Sequence, residues 1–240
     1  MSCKAKDINK VKINYLIANL KAKKYIVYDK PYQLNIVGIR NKNTDSSKFD
    51  DQMFVFWKDN DKKWKGREYS ITTDPSTHYL KKGGLGTYKG NLATAILPMG
   101  QYVNTFKLGL HKGQYTALVQ SKNLCVYRDY DRNAILSFDI EDKTCGMFGI
   151  NMHRANKTGT TKEIGLYSAG CQVFANAECY NEFISLAKKQ ESLYGNAFTY
   201  TLIDKWLQNQ FNIKRSLFLG SVILGVSVLG YGLYLSIKEK

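Results

Sequence analysis

The sequence predicts a mainly β fold with a few helices, followed by a C-terminal transmembrane helix. Three observations carry this. Short runs of β-branched and aromatic residues recur from about residue 25 to residue 153, separated by Gly, Asn and Asp turn signals. Only two stretches, one ahead of that region and one after it, show the apolar spacing of a soluble helix. Residues 216–237 then hold no charged side chain, which is enough chain to cross a bilayer as a helix. A content of 44% hydrophobic and 13% aromatic residues in 240 positions supplies a core and excludes a disordered protein.

Residues 1–30 form an amphipathic helix and lead-in. Asp7 is placed to cap that helix, Ile13, Leu16, Ile17 and Leu20 fall on one face, and Lys21, Lys23 and Lys24 suit its C-terminal end. The main domain spans 31–204. Strands are expected at 25–28, 33–40, 54–58 and 67–72, with Asp59, Asn60 and Asp61 making a hairpin turn between the last two. Further strands are expected at 94–97, 102–110, 115–120, 124–127, 134–140 and 147–153. A second helix follows, with Asn176 as N-cap, Tyr180, Phe183, Ile184 and Ala187 as its apolar stripe, and Gly195 as its C-terminal stop.

Residues 205–215 read as a linker and 216–237 as a single-pass membrane anchor. Lys214 and Arg215 stop the apolar run on one side, Lys238 and Lys240 on the other, and Tyr231 and Tyr234 lie near its end. Basic residues on both flanks leave the orientation open. The first 24 residues are lysine-rich and present no apolar core of a signal peptide. A net charge of +15 predicts attraction to anionic lipid headgroups, acidic wall polymers or nucleic acid. Because the lysines are dispersed, no specific nucleic-acid partner is expected.

The cysteines at 3, 125, 145, 171 and 179 are odd in number and form no C-x-x-C pair, so neither a zinc site nor a disulfide framework is expected. At least one thiol must be free. The run from Asp129 to Asn133 begins like a calcium loop but lacks its glycine and closing glutamate, and Gly83, Gly84 and Gly86 lack the Lys-Ser/Thr of a phosphate loop. No metal and no cofactor is expected. The glycine run reads instead as a loop near an active-site mouth.

Cys171 follows Ser168-Ala169-Gly170, and His153 ends a predicted strand upstream. This is the pattern of a thiol nucleophile and its base. These residues resemble the catalytic domain of the L,D-transpeptidase (YkuD-like) family: His153 matches the family histidine, Gly165 a loop glycine, and Ser168, Gly170 and Cys171 its Ser-x-Gly-Cys core. The stretch 93–102 is similar to the family's Thr-Pro-x-Gly-x-Tyr strand entry, and residues 34–40, 129–133 and 167–174 resemble phage and viral relatives. The likeness covers about 31–204 for those relatives and about 67–187 for the enzymes. Arg154, Ala169 and the pair Gln172-Val173 depart from the enzymes' motif.

The resemblance implies a β-sandwich-like fold and a cysteine acyltransferase or peptidase acting on a peptidoglycan stem peptide through a thioester. Cys171 would attack the carbonyl, His153 would move the proton, Gly170 and Cys171 would present N–H groups to the oxyanion, and Ser168 would order the turn. Tyr167, Arg154 and His111 are the expected substrate contacts. The alternative is a non-catalytic, membrane-tethered structural or binding protein of viral or phage type that keeps the fold.

Overall fold

The structure, a computed structural model, describes residues 3, 5–41 and 46–204; the predicted linker and anchor at 205–237 lie outside these residues. Among the described residues no helix is long and apolar enough to cross a membrane. The elements in chain order are β1 (Lys6–Asp7), α1 (Lys10–Ala22), β2 (Asn35–Arg40), β3 (Asp51–Lys58), β4 (Trp64–Thr72), α2 (Thr77–Lys82), β5 (Gly86–Tyr88) and β6 (Asn91–Ile96). There follow β7 (Gly100–His111), β8 (Tyr115–Gln120), β9 (Leu124–Asp129), β10 (Lys143–Gly146), β11 (Met152–Arg154), β12 (Gln172–Phe174), α3 (Ala177–Tyr194) and β13 (Phe198–Asp204). The fold is mainly β, as expected.

One mixed sheet runs β1-β4-β12-β11-β8-β7-β13-β2-β3, and β3 pairs back onto β4. The ring is closed because β4 gives one edge to β3 along its whole length and shares the other between β1, at Arg67 and Glu68, and β12, at Ile71 and Thr72. The expected sandwich is therefore a barrel, whose strand edges satisfy one another. Alternation along β3 sorts the two faces: Met53, Val55 and Trp57 enter the inner core with Phe106, Phe174 and Tyr200, while Phe54 and Phe56 pack outside under Ile13, Leu16 and Leu20 of α1. A smaller antiparallel sheet, β10-β9-β6-β5, lies beside the ring in sequence order between its strands.

Both helices form where the spacing places them. Asn9, rather than Asp7, caps α1, its side chain accepting from Lys12 N at 2.9 Å. Asn176 caps α3 by accepting from Cys179 N at 2.8 Å, and Gly195 ends it at φ +83°. Tyr180, Phe183 and Ala187 of α3 join the inner core.

Two expected strands do not form, and the one expected at 147–153 forms only at Met152 and His153, within β11. At 25–28 side-chain amides replace the ladder: Gln101 brackets the N–H and C=O of Ile26, and Asn35 those of Tyr28. At 134–140 local Asp and Asn chemistry wins, with Asp131 accepting from Asn133 N, Asn133 from Ile135 N and Asp129 from Ser137 N. The cysteines also differ from expectation. Cys3 pairs with Cys179, and Cys125 with Cys145, its direct neighbour across β9 and β10, so there is a disulfide framework and Cys171 alone is free. One partnership spans 176 positions and the other depends on strand register, neither of which a C-x-x-C search detects.

Candidate active site

Cys171 sits on a turn held from beneath by Ser168. This fully buried hydroxyl lies 2.7 Å from Asp74 O and 2.9 Å from Cys171 O, two carbonyls that share its single proton, and it accepts from Gly170 N at 3.3 Å. Gly170 is at φ +124°, and a Cβ there would collide with the Ala95 carbonyl of β6. The turn therefore requires glycine for close backbone approach. Its N–H is spent on Ser168, so Gly170 does not present the oxyanion donor that the resemblance implies. Among the described residues, the Cys171 N–H has no hydrogen-bond partner and is the donor left at this position.

Cys171 is half-buried. Its thiol donates to Gly149 O at 3.3 Å, and its sulfur accepts from Asn151 N at 3.4 Å. Burial pushes the thiol up to about 11, against the opposing pull of the Asn151 amide and of Lys112. No hydrogen bond joins the sulfur to an imidazole among the described residues.

His153 lies on β11, and His111 ends β7 beside the turn formed by Lys112 and Gly113, both at positive φ. Their rings stack at 4.0 Å and 23°, and both are buried. His153 Nδ1 is 2.9 Å from Arg154 O, and because a carbonyl only accepts, Nδ1 carries the proton and Nε2 holds the lone pair. Burial, then His111, lowers His153 to about 3; burial, then Lys112, lowers His111 to about 4. Both are neutral bases at physiological pH.

Asn151 connects the two halves of the site. Its Oδ1 accepts from Gln120 N at 2.9 Å, which directs Nδ2 to His111 Nδ1 at 3.1 Å, while its backbone N–H meets the Cys171 sulfur. Parallel pairing of β11 with β12, Met152 opposite Gln172, sets Asn151 beside Cys171, and Gln172 N donates to Asn151 O. Nothing local in the sequence marks Asn151, whose position follows from that register.

The predicted substrate contacts divide. His111 joins the histidine stack. Arg154 lies 4.1 Å over the Tyr115 ring, and the Tyr115 hydroxyl donates to Arg154 O at 3.3 Å, so this pair holds the His153 end of the site. Tyr167 is 38% exposed, and its N–H bonds Ile164 O within the approaching turn. Gln172, a departure from the family motif, points away from the thiol into the core, where Tyr200 Oη donates to its Oε1 at 2.7 Å.

Cys171 opens onto a cavity of about 230 Å³ lined by Ala169, Ile150, Phe148 and Arg128, with Leu85 and Gly86 of the glycine-rich loop at its rim. That loop thus borders the free thiol. A larger groove of about 910 Å³ between β4 and the start of α3 contains no histidine and no free thiol. Among the described residues no cluster of three metal-ligating side chains occurs. The chemistry available is therefore that of a neutral thiol, two neutral imidazoles with defined tautomers, and one backbone donor. No family model, curated protein or solved structure matches the chain.

Proposed function

We propose that the protein is a cysteine acyltransferase or peptidase of the L,D-transpeptidase type, acting on peptidoglycan stem peptides and held at a membrane by residues 216–237. The observation that carries this is Cys171, the free thiol among the described residues, facing a cavity and linked through Asn151 to the imidazole of His111, on which His153 stacks. In the reaction the thiol leaves Gly149 O, its proton passes to His153 Nε2, and sulfur attacks the peptide carbonyl. The Cys171 N–H steadies the oxyanion, the C–N bond breaks, and the imidazolium protonates the departing amine. An acceptor amine or water then releases the acyl group from its thioester. Two disulfides favour an oxidising compartment, which suits a domain working at the wall.

Intact-mass analysis after incubation with a carbapenem tests this. The expected result is one covalent adduct, mapped to Cys171, absent in Cys171→Ala and slowed by about 100-fold or more in His153→Ala. An adduct rate indifferent to His153 would refute the base assignment, and no adduct would refute the nucleophile.

A second reading is favoured by the raised thiol and its bond to Gly149 rather than to an imidazole. This is the non-catalytic binding module, which predicts an unmodified thiol together with retention on peptidoglycan sacculi.

A further inference from the structure

The cavity in front of Cys171 contains a single charged side chain. Arg128, on β9 opposite Ala95 of β6, is 6% exposed. Its Nη2 donates to Ala93 O at 3.2 Å, and its guanidinium carbon stands 5.5 Å from the Phe148 ring centroid. Among the described residues no carboxylate pairs with it. Among the described residues the other buried arginine is neutralised: Arg40, 4% exposed, holds Asp74 at 2.7 Å. A guanidinium stays protonated and carries five N–H donors, of which one carbonyl satisfies one. Burying such a charge without an anion is costly, and a protein tolerates the cost where a ligand supplies the anion.

The surroundings define that ligand. Ala169, Phe148 and Ile150 make the rest of the wall apolar, so the site excludes a second charge and favours a compact group with one anionic end. At about 230 Å³ the space falls below the roughly 300–1,000 Å³ of typical ligand pockets and accommodates about one amino-acid residue. A guanidinium prefers a planar carboxylate, which it can grip through two parallel N–H bonds. We infer that Arg128 is the side chain that receives a carboxylate of the substrate whose acyl carbonyl meets Cys171. The inference rests on Cys171 being the nucleophile.

The test compares two alkylating reagents of nearly equal size, iodoacetate and iodoacetamide, on the intact oxidised protein, with glutathione as the reference thiol. Site-resolved mass spectrometry gives the rate at Cys171. The iodoacetate-to-iodoacetamide ratio should exceed that of glutathione by about tenfold, the effect of one charge-assisted contact. Arg128→Gln should bring the ratio down to the glutathione value, and Arg128→Lys should retain part of the preference. Lys112→Gln, which removes a charge outside the cavity lining, should leave the ratio in place. A ratio that falls equally with Lys112→Gln reflects net charge and overturns the inference. A wild-type ratio equal to that of glutathione overturns it as well, whether or not the Arg128 variants fold. If Cys171 takes neither reagent, the nucleophile reading itself has failed, which is a distinct outcome from alkylation by both without preference.

Discussion

Asn151 spends its amide on Gln120 and His111 and its backbone N–H on the Cys171 sulfur, so one residue fixes a strand, a tautomer and a thiol. Because Cys171 is pushed up to about 11 and His153 down to about 3, the resting pair is thiol and imidazole rather than thiolate and imidazolium. The pH dependence follows with a definite sign. Below the thiol pKa each unit of pH raises the thiolate tenfold, so Cys171 alkylation by iodoacetamide should climb from pH 6 to pH 10 with no plateau. A plateau near neutrality, measured by stopped-flow or quenched mass spectrometry, would reveal a preformed ion pair and contradict the described arrangement. Cys171 and His153 stood out as candidates because each sits in a short pattern that the sequence displays directly. Asn151, Tyr115 and Arg128 were not, since each reaches the site through strand register and belongs to no motif of its own.

Helix α3 was legible down to its caps because capping is a local hydrogen-bond problem, whereas α1 is capped by Asn9 instead of the expected Asp7 and the short α2 was not expected. Asn176 solves it for α3 by accepting from Cys179 N, and Asn176→Ala should cost about 1 kcal/mol. In a domain of this size that lowers the Tm by roughly 2–4 °C, readable by calorimetry; an unchanged Tm would mean that the disulfide at Cys179 alone holds the first turn. The strands were legible where they are long, as at β3, β4, β7 and β8, and illegible at β10 and β12, whose four and three residues carry too little pattern, while the strand expected at 147–153 meets β11 only at Met152 and His153. The segment at 25–28 has the composition of a strand and the bracketing amides of Asn35 and Gln101 instead of a neighbour. Composition reports that a backbone needs partners, and cannot say whether those are main chain or side chain.

Closure of the barrel was beyond the sequence, because it depends on β4 dividing one edge between β1 and β12 and on β13 entering between β7 and β2. The pairing of cysteines is a property of the same scale. With Cys3–Cys179 and Cys125–Cys145 formed, the native oxidised chain should titrate with one thiol per molecule, and five after reduction in denaturant. Three or more native thiols would remove the framework and with it the support for an oxidising compartment. The position of β13 has a further consequence for biosynthesis. Vectorial synthesis delivers β2 and β7 long before residues 198–204 emerge, so the nascent ring stands open with two unpaired edges, each a template for a stray strand. Nearly the whole domain must wait, exposed to mispairing or in the care of a chaperone, for its last strand to lock it.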